Sequence, residues 1–587
     1  MDGVVEGGVA LDGVVEGGVV EGAVVEGGVV GGAVIQGIGV SSGSAYAPVV
    51  QVGAAVRPPA DEAVLPPEEA ARVIREALEA VAVEIERRAA LASDNAAEIL
   101  GATAMLARDP GLVDGAIAHA TAGRGPASAI DVATQEYIDQ FVALGGYFAE
   151  RATDLRDVGD RAIAFVLGVP SPGIPALDGE CILVAMDLAP AETATLDRSK
   201  VVGIVTEHGG RTSHTAILAA QMGIPAAVKV AGVTGLADGT PILVDGETGQ
   251  VHVNPSGELV DKLRQRAARR SVALAGSSGP GMTKDGKRVA LLANIGGVED
   301  AIAAGAADVE GVGLFRTEFV FLSAKTAPTV DEQAEIYRQV FAPFEGRRVV
   351  VRTLDAGADK PLAFADLGAE ENPALGRRGL RLSAERPDLL DAQLEALSIA
   401  ASETGADVRV MAPMVALVEE AAWFARRVRE NGLKSVGVMI EVPGAALRSA
   451  HVLEEVDFGS LGTNDLAQYT MAADRMQGEL SDLLDPWQPA VLDMVAAACN
   501  GAAITGKPMG VCGEAGGDPL LALVLAGLGV TSLSMAPSKV PMVRLALSLH
   551  TFAECQRLAH LARSARTAYD AREAVLGAAA GELAAIL

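Results

Sequence analysis

Cysteine, positive charge and long apolar runs are all scarce in this chain. Its 587 residues hold four cysteines, Cys181, Cys499, Cys512 and Cys555. None falls in a CxxC spacing or near a histidine cluster, which argues against disulfides and structural zinc. No stretch of about 18 uninterrupted apolar residues is present, so no membrane insertion is expected. A basic n-region with a cleavage site is also missing, which makes the cytoplasm the expected location. Lys and Arg total 47 against 76 Asp and Glu, a net charge of −29. A surface that acidic argues against nucleic acid and anionic membranes as partners and favours a basic protein.

Half of the residues are apolar, enough for several cores, and the length suggests about four domains. Residues 1–32 repeat VVEGGV. Glycine at that density cannot hold a packed core, so a disordered leader is expected. From Val34, VIQGIGVSSGSAYAPVV reads as a strand, a Gly/Ser turn and another strand. Residues 58–160 are rich in Ala, Glu, Arg and Leu at helical spacing, which predicts three or four long helices. No catalytic grouping stands out there; the region is a packed α subdomain or a docking platform. Short strands return between Cys181 and Pro255. Residues 33–57 and 161–256 are therefore expected to form one small β/α domain, with 58–160 inserted in it. A helical linker over 257–282 and a last domain over 283–587 follow.

The last domain carries eight short apolar strands: VALLAN (289–294), VGLFRTE (312–318), RVVVRTLD (348–355), VRVMAPM (408–414), VGVMIEV (436–442), DFGSLGTND (457–465), MGVCGEA (509–515) and SLSMAP (532–537). Each precedes an Ala/Leu-rich stretch of helical period. Repeated β-then-α units close into a (β/α)8 barrel, whose active site sits at the carboxyl ends of the strands. Those ends present Asn294, Arg316, Arg352, Glu441, Asn464, Asp465 and Cys512. Arginines suit anions, carboxylates suit a metal, and one thiol stands among them.

A second site is predicted at VVGIVTEHGGRTSHTAILAAQMG. Gly209 and Gly210 let the backbone approach a ligand closely. Ser213 is a fitting N-cap. His214 then lies beside a helix N-terminus, where free N–H groups and the dipole favour an anion. Histidine is a covalent nucleophile, so a phosphoryl acceptor suits the place; the alternative is a core or capping histidine.

GGRTSHTAILA resembles the phosphohistidine signature of the PEP-utilising enzymes. Further ordered matches are LRDVGDR (155–161), GLFRTEF (313–319), VVRTLDAGADK (350–360), ENPALGRRGLR (371–381), DFGSLGTNDLAQYTMAADR (457–475) and GVCGEAGGD (510–518). The resemblance runs from about Val34 to the C-terminus, and it is strongest to the sugar-phosphotransferase branch of the family. One position departs: six residues after the histidine the family usually has Arg or Gly, and this chain has Ala220.

The resemblance implies a phosphohistidine swivelling domain ahead of a PEP/pyruvate-binding barrel. It implies Mg²⁺ on Glu441 and Asp465, and PEP held by Arg316, Arg352, Arg378 and Arg475. It also places Asn464 and Lys360 on the substrate, and makes Cys512 the proton donor to the enolate of pyruvate. His214 would take the phosphoryl group and pass it to a histidine of the carrier protein HPr, bound by the helical subdomain. Family members dimerise through the barrel. Two rivals are the ATP-linked PEP synthase and pyruvate phosphate dikinase branch, and a regulatory homologue that binds HPr without turnover. The first needs a nucleotide-binding domain, for which no phosphate loop is found. The second should lack His214, Cys512 or a metal carboxylate, and all are present.

Overall fold

The computed structural model describes residues 19–21, 24–25, 28–29 and 33–587, apart from 42, 54–56, 60, 90–100, 102, 145–151, 170–171, 176, 189–195, 198, 211–212, 323, 325, 358–361, 363, 366–367, 369 and 476. It falls into two compact units, Met1–Arg264 and Gln265–Leu587.

The first unit is built on a nine-stranded mixed sheet. In chain order its strands are β1 (Val19–Glu21), then β4 (Val34–Gln36), β5 (Ile38–Gly39), β6 (Ser44–Gln51), β7 (Cys181–Ala185), β8 (Val201–Thr206), β9 (Ala226–Val228), β10 (Pro241–Asp245) and β11 (Gln250–Val253). In space the order is β1-β4-β11-β10-β6-β7-β8-β9-β5. A separate two-stranded pair joins β2 (Val24–Val25) to β3 (Gly28–Val29). Within the VVEGGV repeat β1 pairs antiparallel with β4; most of 1–32, the expected disordered leader, lies outside the described residues.

β4 and β5 sit near opposite ends of that order yet are separated only by Gly37, so the sheet curls back on itself. Glycine is required at the joint. A Cβ on Gly37 would lie 2.4 Å from Val230 Cγ2 and 2.8 Å from the Val228 carbonyl. Apolar side chains from both sheet faces, Ile35, Val49, Val184 and Val244 on one and Leu183, Ile204 and Ala226 on the other, are buried.

β6 pairs in parallel with β7, and the helices Pro67–Ala89, Pro110–Thr121, Pro126–Leu144 and Ala152–Leu167 fall between them in sequence. Asp109 caps the second of these, accepting from Gly111 N, and Pro110 takes its first turn, where the missing N–H costs nothing. Ile74, Leu78, Leu112, Ile130, Leu155 and Val158 make the helices' own core.

The second unit is a closed parallel barrel of eight strands: β12 (Ala290–Ile295), β13 (Gly311–Arg316), β14 (Arg348–Arg352), β15 (Asp407–Ala412), β16 (Ser435–Ile440), β17 (Phe458–Leu461), β18 (Met509–Val511) and β19 (Ser532–Met535). The expected α/β barrel is thus observed, and β19 pairs with β12 to close it. Side chains alternate in and out along each strand. Outward positions such as Leu291, Val351, Val410 and Leu533 join the helices in the large core. Inward positions Leu314, Val350, Met411, Met439, Phe458 and Cys512 form a small cluster of their own. Helix starts are well signalled: Thr329 and Glu332 make a reciprocal capping box, and Asp518 accepts from Leu520 N and Leu521 N.

Candidate active site

Alternation decides which side chains reach the barrel mouth. On β14, Arg348, Val350 and Arg352 share the inner face, so Arg352 emerges at the carboxyl end. Counting by two likewise brings Met439 to Glu441, Gly510 to Cys512 and Leu292 to Asn294. One expectation needs correction. Asn464 and Asp465 are not on a strand tip: β17 stops at Leu461, and both lie in the first turn of helix Thr463–Met471. The acid there meets the positive end of the helix dipole.

Arg352, Arg378, Arg475 and Asp465 come together in one alternating chain of charge, with Asp355 and Glu318 as links. Arg352 Nη2 donates to Glu318 Oε1 at 2.8 Å, and its Nη1 lies 3.1 Å from Asp355 Oδ2. Arg378 Nη2 donates to the same Asp355 oxygen at 2.9 Å, while its Nη1 reaches Asp465 Oδ1 at 3.3 Å. Arg475 Nη1 is 3.5 Å from Asp465 Oδ2. Asp355 is 0% exposed and Arg378 1%. Burial works against the charge on Arg352, and Glu318, Asp355, Glu441 and Asp465 outweigh it, so the guanidinium stays charged. Among the described residues its buried Nε has no hydrogen-bond partner, a donor left over for a ligand.

Glu318 and Asp355 were not singled out from sequence. Their signal was local: each follows an arginine within the same motif, as Arg316-Thr-Glu318 and Arg352-Thr-Leu-Asp355. A neutral network fixes the two strand ends. Thr317 Oγ1 donates to the Arg352 carbonyl at 2.8 Å, Gln393 Nε2 donates to Thr317 Oγ1 at 3.1 Å, and Gln393 Oε1 accepts from Leu354 N at 3.0 Å.

Glu441 is 1% exposed and accepts from Met414 N at 2.6 Å. Burial first, then the charges of Asp465 and Asp355, push its carboxyl up to about 8. Two buried, mutually repelling carboxylates fit a divalent cation. Among the described residues no three His, Cys, Asp or Glu side chains are grouped to hold one. Glu441 and Asp465 could hold such an ion only with further ligands from substrate or water.

Cys512 follows β18 and is 2% exposed. Burial pushes its thiol up to about 11, opposed by the influence of the Ser460 hydroxyl. Its Sγ also approaches the Leu461 carbonyl at 3.5 Å. A thiol so placed keeps its proton at neutral pH. Cys499 and Cys555, in helices, are likewise raised by burial, to about 12, but lie among apolar side chains. Asn294 Nδ2 donates to the Cys512 carbonyl at 3.2 Å. Asn464 Oδ1 accepts from Glu514 N at 3.3 Å, tying its helix to the loop after Cys512. Arg316, half-buried at the end of β13, makes no side-chain hydrogen bond or ion pair among the described residues and acts on Cys512 only through its charge. Lys360 lies outside the described residues.

In the first unit, His214 is the first residue of helix His214–Met222, though its side chain and that of Ala220 lie outside the described residues. Ser213 Oγ accepts from Ala216 N at 3.3 Å, as an N-cap should. Thr215 Oγ1 donates to Asp187 Oδ1 at 3.1 Å and holds the helix start to the loop after β7. Gly209, at φ +101°, makes the turn before it.

Three family models match in order. These are the N-terminal domain of PEP-utilising enzymes over residues 36–151, their mobile domain over 177–249 and their PEP-binding domain over 275–551. A phosphoenolpyruvate-protein phosphotransferase of Streptomyces coelicolor is 50% identical over 93% of this chain and 99% of that protein. The proteins of that name from Haloferax volcanii and Haemophilus influenzae are 39% and 38% identical, over 83% and 75% of this chain and 88% and 80% of theirs.

Proposed function

This chain belongs to the PEP-utilising enzymes, in their phosphoenolpyruvate–protein phosphotransferase branch, and from that premise we propose how its residues carry the phosphoryl group. The observation that carries the reading is the buried run Glu318, Arg352, Asp355, Arg378 and Asp465, extended by the half-buried Arg475, at the carboxyl end of a closed barrel.

PEP presents a phosphate and a carboxylate, and guanidinium forks bind both. Arg352 and Arg378 are already held in place by Asp355, so little ordering is left for the ligand to impose. Arg475 and Arg316 complete the anion site, with Asn464 and Lys360 as further substrate contacts. Mg²⁺ on Glu441 and Asp465 would add charge neutralisation at the phosphoryl oxygens. His214 attacks phosphorus, and enolpyruvate is the leaving group. Such transfers need positioning and charge stabilisation more than covalent help. Cys512 then gives the proton of its raised thiol to C3, and pyruvate leaves. Because His214 belongs to the other unit, a swivelling motion is part of the proposal. Phospho-His214 passes its group to a histidine of HPr, docked on the helical subdomain, and the barrel dimerises.

Radiolabelled PEP and Mg²⁺ test this directly, on wild type and His214→Ala, with and without HPr. Acid-labile label on wild type alone, chased onto HPr, is expected. Label persisting on His214→Ala would remove that residue from the pathway. A label that stays put would instead point to another carrier or to Ala220. No label on wild type would favour a regulatory role.

A further inference from the structure

The amino-terminal end of the barrel holds a charge without a partner. Arg348 begins β14 on the inner face, four residues and about 13 Å along the strand from Arg352. Its guanidinium makes no hydrogen bond or ion pair among the described residues. The two acids whose charge reaches it are already engaged. Asp407 Oδ2 accepts from Arg409 Nη2 at 2.6 Å and from Arg409 Nε at 3.0 Å. Glu310 is ion-paired with Arg288, and its Oε1 accepts from Gly281 N at 2.9 Å and Leu291 N at 3.0 Å. Three guanidiniums thus meet two carboxylates, which leaves one positive charge over. Burial first, and the charge of Arg409 second, weigh against that charge on Arg348. Charges withdrawn from water are ordinarily paired.

Space for a counter-ion lies beside it. Arg348 and Arg409 line a cavity together with Ser460, Ser532 and Ser534, and no carboxylate lines it. It has about 20 Å³ of water-accessible space, room for one or two water molecules or one small ion. Ser532 is 8% exposed, and its hydroxyl has no hydrogen-bond partner among the described residues. It faces the gap left by Gly510, where a Cβ would lie 2.7 Å from Ser532 Oγ. Ser534, by contrast, is spent on the Ala293 carbonyl at 3.0 Å. We propose that this cavity is a binding site for a small monovalent inorganic anion, chloride above all, held by the Arg348 guanidinium and the Ser532 hydroxyl. The single unmatched charge selects a monovalent ion over phosphate or sulfate, and the volume selects a monatomic one. Such an ion joins β14 to β19, which are not neighbours in the barrel. Its effect is therefore on the stability of the barrel, not on the chemistry at the opposite end.

Thermal unfolding of the full chain tests the site. Ionic strength is fixed and chloride is exchanged for gluconate, which is too bulky for the cavity. Mg²⁺ and phosphoglycolate, a non-reacting analogue of PEP, keep chloride from the arginines at the barrel mouth. Chloride should raise the wild-type midpoint by about 2–4 °C and broaden the chloride NMR line. Arg348→Met removes the charge; Gly510→Ala narrows the cavity and keeps the guanidinium. Both should lose the shift and the broadening, and Gly510→Ala decides alone if Arg348→Met does not fold. Crystals soaked in bromide should give an anomalous peak beside Arg348, a readout that does not depend on how the phosphoryl group is carried. Equal wild-type midpoints in chloride and gluconate would overturn the site. So would a shift that survives in Gly510→Ala, or bromide found only at the barrel mouth. Sulfate acting more strongly than chloride would overturn the assignment to a monovalent ion.

Discussion

Glu441 is held near 8 by burial and by Asp465 and Asp355, against an unperturbed value of 4.5. Between those values the folded chain keeps a proton that the unfolded chain has lost, so stability declines as pH rises through that window. Urea midpoints taken at pH 6 and pH 8.5 should fall for wild type and change much less for Glu441→Gln, which mimics the protonated acid. Equal slopes in the two proteins would mean that Glu441 does not titrate there. Asp355 makes a second case. It sits between two guanidiniums, and neutralising it as Asp355→Asn leaves them buried and mutually repelling. A loss of roughly 3–5 kcal/mol is expected from denaturant unfolding. Arg316 and Arg352 were legible in sequence because a charge inside an apolar strand demands a reason, whereas Arg378 and Arg475 lie outside the strands and came only from the family resemblance. Glu318 and Asp355 were harder to see. Each follows an arginine within its motif, but their place as ion-pair partners of Arg352 and Arg378 shows only once the strands close into a barrel.

At the level of elements, the barrel strands could be read from their apolar runs. Each of the eight strands is found within its expected stretch or extends at most one residue beyond it. The boundary after Leu461 was missed because TND continues the strand pattern while also making a good helix start. The curled sheet was illegible for a different reason: β4 and β5 are neighbours in sequence, and only the pairing of β5 with β9 and of β4 with β11 separates them in space. Gly37→Ala tests that joint. Its methyl has no room against Val230 and Val228, and overpacking of this kind costs about 1–3 kcal/mol. Amide exchange should quicken first at Ile38 and Val228; an unaltered exchange pattern would show that the joint yields without strain.

Over the whole molecule, a net charge of −29 sets the field met by any partner. Attraction of a basic carrier over distance is weakened by salt, chiefly through the rate of encounter. Phosphoryl transfer from the labelled protein to HPr should therefore slow several-fold between low and high ionic strength, while labelling by PEP at saturating concentration changes little. A transfer rate indifferent to salt would mean that short-range contacts alone guide docking.

The parallel pairing of β6 with β7 also has a consequence in time. The two strands are neighbours in the sheet, yet the whole helical segment is translated between them. At a synthesis rate of roughly 5–20 residues per second, the ribosome releases β6 some ten seconds before its partner strand exists. The apolar edge of β6 must stay unpaired for that interval. The helices can meanwhile close their own core, so the nascent chain is expected to fold from its middle outward, with the sheet assembled last.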